Sequence, residues 1–139
     1  MMPVLLDTGP IVALLDRAQQ DHEKCAEALT ALNAPLVICE PVISEACHLL
    51  RKLPGASGDV LRNIESGSFL ISYGVHGRAA RLAKLLKKYA NVPMEFADAC
   101  LVDLAEQLGT GRIFTLDADF RAYRWSRNRP FQLLLGAAQ

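Results

Sequence analysis

The chain has 139 residues, of which 51% are hydrophobic, and its 15 Lys and Arg balance 15 Asp and Glu. That length and apolar content fit one domain with a substantial core, and the neutrality excludes a surface that is basic everywhere, though not a local basic patch. An aspartate interrupts the apolar start MMPVLL at position 7, and no apolar run reaches the roughly 18–20 residues of a membrane span, so a cytoplasmic protein without signal peptide or membrane helix is expected.

Taken in order, PVLL (3–6) predicts a buried strand, followed at once by Asp7. GPIVALLDRA (9–18) has helical spacing, with Thr8 as a cap and Pro10 in the first turn, where a missing N–H is tolerated. DHEKCAEALTALN (21–33) predicts an amphipathic helix and PLVIC (35–39) a second strand. PVISEACHLLRKL (41–53) reads as a helix opened by Pro41 and stopped before Pro54. Residues 57–66 are weakly helical, and the wider stretch 54–68 carries no chemical motif, which leaves it to face a partner or substrate. FLISY (69–73) is the third strand. HGRAARLAKLLKKYA (76–90) is an amphipathic helix whose Arg78, Arg81, Lys84 and Lys88 read as a solvated face. After the break at Asn91-Val92-Pro93 comes FADACLVDLAEQLG (96–109), a helix closed by Gly109; RIFTL (112–116) and FQLLL (131–135) complete the strands.

Short apolar strands alternating with helices predict one three-layer α/β/α domain, residues 1–139, around a mainly parallel sheet of about five strands. Ligands of such sheets bind beyond the carboxyl ends of the strands. Four acidic residues are placed accordingly. Asp7 and Asp117 each follow a strand. Asp98 has Met94, Leu101 and Val102 on its helical face, and Glu45 has Val42 and Leu49 on its own. Asp103, neighboured by Ala99, Glu106 and Gln107, is expected on the surface. Taken singly, each acid has an ordinary explanation: a helix cap for Asp7, an Asx-turn for Asp117, a core arginine partner for Glu45 or Asp98. Taken together, they predict a shared site. Four ionised carboxylates in one small site repel one another unless a cation is bound, and an all-oxygen set suits Mg²⁺ or Mn²⁺ rather than zinc. Such a cation, activating a water beside a phosphate, points to phosphoryl chemistry.

Beyond the last acid lies RAYRWSRNR (121–129). Arg121 and Arg124 among aromatic residues are candidates for nucleic-acid contacts, against the alternative of a solvated turn whose Trp125 packs on the core. His22, His48 and His76 share no spacing that suggests a site, and structural or surface roles are expected. Cys25, Cys39, Cys47 and Cys100 lack metal-like spacing and read as buried, reduced thiols.

Four segments together resemble the PIN-domain ribonucleases and, within them, the VapC-type toxins: DTGPIVALLD (7–16), SEACHLL (44–50), PMEFADACLVDLAE (93–106) and TLDADF (115–120). The resemblance implies Asp7, Glu45, Asp98 and Asp117 as a catalytic, metal-holding quartet, supported by Thr8, Thr115 and Asp119, the last through water or through the turn. It implies a Mg²⁺- or Mn²⁺-dependent endoribonuclease leaving a 3′-hydroxyl and a 5′-phosphate, an RNA substrate, a homodimer and a cognate antitoxin. The alternative is a non-catalytic RNA-binding or interaction protein of the same fold. A receiver-type signalling domain is disfavoured because the third and fifth strands end in ISYGV and LLLGAAQ, without the aspartate and lysine it needs. A haloacid-dehalogenase-like phosphatase is disfavoured because DTG lacks a second aspartate.

Overall fold

The computed structural model describes residues 2–135, so Met1 and residues 136–139 of the expected 1–139 domain lie outside the described residues. Strand β1 (Val4–Leu6) leads into helix α1 (Thr8–Leu15) and then α2 (His22–Ala31). Strand β2 (Leu36–Ile38) is followed by α3 (Glu40–Leu49) and α4 (Ala56–Glu65), and β3 (Phe69–Ile71) by α5 (Ala79–Lys88) and α6 (Phe96–Leu108). Strand β4 (Arg112–Phe114) runs into a 3₁₀ turn (Ala118–Arg121), a hairpin of β5 (Arg124–Trp125) and β6 (Arg129–Pro130), and finally β7 (Gln132–Leu133).

Five strands form one parallel sheet in the order β3-β2-β1-β4-β7, with Val4 opposite Leu36 and Leu5 opposite Ile113. The chain first builds outward from β1 through β2 to β3, then returns to the other side of β1 to place β4. The order therefore reverses between β1 and β4, where adjacent loops part and a crevice opens at the carboxyl edge. The backbone N–H of Asp7 donates to the carbonyl of Phe114 at 2.9 Å, fixing the two strand exits side by side. Val4, Leu5, Leu6, Ile38, Ile113 and Phe114 are at most 2% exposed, which explains why these strands read as unbroken apolar runs: helices cover both faces. Helices α1–α4 pack on one another, and α5 packs on α6. The five predicted strands are these five, each trimmed to two or three paired residues. Cys25, Cys39 and Cys100 are buried and free, and Cys47 is half-buried and free.

Helix α6 carries the main correction to the sequence reading. Asp103 is not on the surface; it is fully buried. Arg78 meets it with two hydrogen bonds, Nε to Oδ2 at 2.9 Å and Nη2 to Oδ1 at 2.6 Å, and the Tyr73 hydroxyl donates to Oδ2 at 2.7 Å. One turn on, Arg81 donates to Glu106 at 2.7 and 3.2 Å. The predicted solvated stripe of α5 is accordingly corrected too: Arg78 and Arg81 are held by α6, while Lys84 and Lys88 stay exposed. Wheel neighbours within α6 could not reveal this, because the partners of Asp103 come from 25 and 30 residues away. The helix ends on Gly109 at φ 71°, a left-handed position that favours glycine.

The hairpin β5–β6 was not foreseen as strands. Its Trp125 packs on the core and donates from Nε1 to the Pro130 carbonyl at 3.1 Å, with Arg129 stacked over the indole at 5.4 Å. A side chain on Gly111 would overlap that indole, so the glycine makes room for the tryptophan.

Candidate active site

The site grows from two strand exits. Asp7 follows β1 and caps α1, its Oδ1 accepting from the Thr8 N–H at 2.8 Å. Its Oδ2 accepts from the Thr115 hydroxyl at 2.7 Å, across from the end of β4. Thr115 Oγ1 in turn accepts from the Asp117 N–H at 2.9 Å, and Asp117 Oδ1 accepts from the Asp119 N–H at 2.9 Å. One continuous chain of hydrogen bonds thus joins Asp7 to the turn that holds Asp117. From α3, Glu45 Oε1 accepts from the Thr8 hydroxyl at 2.8 Å. From the first turn of α6, Asp98 Oδ2 accepts from the Tyr123 hydroxyl at 3.0 Å and from the Glu95 N–H at 3.3 Å. Asp7, Glu45, Asp98 and Asp117 line a single cleft of about 460 Å³ at the reversal between β1 and β4.

The cleft is electrostatically unfavourable to its own walls. Burial pushes the Asp7 carboxyl up to about 6; hydrogen bonds from Thr115 and Thr8 oppose this, and the charges of Asp117 and Glu45 add to it. Burial likewise pushes Asp98 up to about 7, reinforced by the charges of Asp7 and Asp117 and opposed by the Tyr123 hydroxyl and the Glu95 amide. Asp119 lies above its ordinary value through burial and the neighbouring Asp117. Desolvated acids that also repel one another take up protons, or a cation.

Among the described residues, no three carboxyl, imidazole or thiol side chains stand close enough to form a ready ligand cage. The donor chemistry nevertheless fits a small hard cation. Every acid is an oxygen donor, no thiol lines the cleft, and Mg²⁺ typically takes one or two carboxylates and completes its shell with water and phosphate.

The structure brings the four sequence-derived acids together with Thr8 and Thr115. Asp119 supplies the turn through its backbone N–H while its side chain lines the cleft. Arg121 is exposed on the 3₁₀ turn, directly after the acidic motif. Arg124 is turned inward, its Nη1 donating to the carbonyls of Arg121 at 2.7 Å and Tyr123 at 2.9 Å. Two contributors were missed. His48, expected away from any site, lies on the cleft wall. Tyr123, read only as an aromatic among arginines, is fully buried, wedged edge-on against Tyr89 and Phe120, and aims its hydroxyl at Asp98. The spacing of Tyr123, three after the buried Phe120, was the available signal.

The PIN domain profile matches residues 4–126. The chain is 28% identical over 116 residues to ribonuclease VapC26 of Mycobacterium tuberculosis, covering 82% of this chain and 86% of that protein. Its backbone superposes on the crystal structure of VapC20 from the same organism, described as a toxin that cleaves the sarcin–ricin loop, with a TM-score of 0.80 over 91% of this chain and 99% of that one; at 18% identity this is a likeness of fold. The profile match takes in all four acids, both threonines that hold them and Tyr123, and the chain belongs to the PIN-domain family.

Proposed function

We propose that the chain is a Mg²⁺- or Mn²⁺-dependent endoribonuclease and the toxin of a toxin–antitoxin pair. The observation that carries this reading is the convergence of Asp7, Glu45, Asp98 and Asp117 on one cleft at the sheet's switch point. The similarity to a ribonuclease over most of both chains supports RNA as the substrate. Asp7, Asp98 and Asp117 would hold the cation, with Glu45 beside them. When bound, the cation neutralises phosphate charge and acidifies a nearby water.

The chain's own residues set the geometry. Both oxygens of Asp7 are fixed, one by the Thr8 amide and one by the Thr115 hydroxyl. The Thr8 hydroxyl orients Glu45 and the Tyr123 hydroxyl orients Asp98, so the acids meet the substrate with little rotamer freedom left to lose. No histidine is assigned as base. Glu45 takes the proton of the attacking water as its oxygen bonds to phosphorus. The bond from phosphorus to the 3′ oxygen breaks, and that oxygen takes up a proton from solvent water, leaving a 3′-hydroxyl and a 5′-phosphate. Asp119 steadies the turn, and Arg121 flanks the path of the RNA, while Arg124, also a candidate by sequence, is held on backbone carbonyls.

Leu49 on α3 and Leu61 on α4 are 59% and 56% exposed, which suits a covering protein, either an antitoxin or a second copy of the chain. No described helix is long and apolar enough to cross a membrane, and an RNA substrate implies a cytoplasmic setting.

The test is incubation of purified protein with structured RNA and Mn²⁺. Cleavage is expected in the wild type, lost with chelator, and lost in Asp7→Asn and Asp98→Asn proteins that still melt cooperatively. Absence of cleavage by the wild type across a broad RNA panel would replace the nuclease with a non-catalytic RNA-binding or interaction protein.

A further inference from the structure

A second cavity, of about 530 Å³, adjoins the acidic cleft and shares Glu45 and Glu95 as walls. Its character is different. Phe96, in the first turn of α6, is 46% exposed, and Val75, on the segment that follows β3, is 38% exposed. The side-chain polar groups on its walls are carboxylates or hydroxyls: those of Glu40, Glu45, Glu95, Ser44 and Tyr73. No lysine or arginine lines it, and among the described residues Glu40 has no cation partner.

We propose that this cavity is a base-specificity subsite that seats an unpaired guanine of the RNA next to the scissile phosphate; the proposal rests on the ribonuclease reading and names what its substrate presents. A phosphate is excluded because the walls are anionic and offer no cation. A base fits both halves of the surface. Its face stacks on an aromatic ring, as splayed single-stranded bases do, while its edge bonds to side chains. The edge chemistry then selects. Guanine offers two adjacent donors, N1–H and the N2 amine, which a single carboxylate accepts together. Adenine and cytosine offer one donor beside an acceptor, which would face the carboxylate as lone pair against lone pair. Uracil offers one N–H flanked by two carbonyls that the carboxylate repels. The shared wall places the seated base one step from the cleft where Asp7, Asp98 and Asp117 stand. Phe96 and Glu40 belong to this cavity and not to the acidic cleft, so they report on it separately.

The test is equilibrium binding of the full-length protein to nine-residue oligouridylate RNAs with a single central G, A, C or inosine, in chelator and low salt so that the RNA stays intact. The G-containing RNA is expected to bind at least fivefold more tightly than the A, C and all-U RNAs. Inosine, which lacks the N2 amine, should lose most of that margin. Phe96→Ala should weaken all purine binding, and Glu40→Gln should reduce the preference for G to less than twofold; both sites are exposed, and unchanged melting confirms the fold. Equal affinity for the four RNAs, no binding at all, or a preference that survives both substitutions overturns the subsite. Binding of an arginine-rich peptide that depends on Phe96, without any base preference, would make the cavity a peptide site instead. A base preference without cleavage in Mn²⁺ retains the subsite and removes the nuclease; cleavage without a base preference does the reverse.

Discussion

Asp98 is held by a phenol and an amide, not by a cation, and this sets the sign of its effect on stability. Burial and the nearby Asp7 raise its pKa to about 7 from 3.8. A carboxyl whose folded pKa lies above its unfolded one stabilises the fold while protonated. The contribution is complete below the unfolded pKa and is lost as pH climbs through about 7. Both of its hydrogen bonds arrive at Oδ2, so asparagine with its carbonyl in that place keeps both donors satisfied. In metal-free protein at pH 8, Asp98→Asn should therefore be stabilising by about 1–2 kcal/mol, after discounting for partial solvent exposure. That is about 4 °C in melting temperature for a domain of this size. At pH 4 the two proteins should melt together. Calorimetry at the two pH values decides it: a variant less stable than wild type at pH 8 would mean that Asp98 is compensated by a cation after all.

Helix α6 carries two aspartates with opposite physics. Burial alone would raise Asp103, but the Arg78 guanidinium and the Tyr73 hydroxyl outweigh it and hold the carboxyl below its ordinary value. A depressed carboxyl gives stability above its unfolded pKa and loses it as pH falls through the folded one. Asp103 also ties α6 to the residue that precedes α5 and to the exit of β3. Asp103→Asn leaves the part-exposed Arg78 guanidinium without its counter-charge and should cost about 1–2 kcal/mol at pH 7, read as a lower urea midpoint. A change within about 0.5 kcal/mol would be the behaviour of an exposed residue. The two aspartates also mark what a sequence reveals. Asp98 was legible because its wheel neighbours are apolar and its partners stand at strand exits that short apolar runs announce. Asp103 was not, because α6 is buried nearly all round, from Ala99 to Ala105, so local polarity did not distinguish a solvent face from an interhelical one. The same holds for Arg78 and Arg81, whose positions suit a solvated stripe equally well until α6 is laid against them. The parallel sheet was legible from its apolar runs. The β5–β6 hairpin was not, since two-residue strands carry no period and its arginines suggested a ligand instead.

At the scale of the whole molecule, the balance of 15 basic and 15 acidic residues means that RNA is attracted only where cations stand beside the cleft. Few do. Arg78 and Arg81 are spent on α6, and Arg62 on Asp59. The basic run after the acidic motif does not stay at the site either. Arg129 lines a cavity with Met2 and Arg112, residues at the amino ends of β1 and β4, so the hairpin carries it to the opposite edge of the sheet from Asp7. Arg124 is folded back on backbone carbonyls. Arg121 is the exposed arginine adjoining the cleft's acidic turn. Single-stranded RNA releases about 0.7 of a counterion per phosphate neutralised, so affinity should fall with salt at a log–log slope of only about −1 to −2. Arg121→Gln should flatten that slope by about 0.7. RNA affinity measured by fluorescence anisotropy from 50 to 300 mM KCl supplies both values. A slope as steep as about −5 would require more cations than the described residues place beside the cleft, and would point to a second chain contributing them. A slope unmoved by Arg121→Gln would take the RNA path away from the acidic turn.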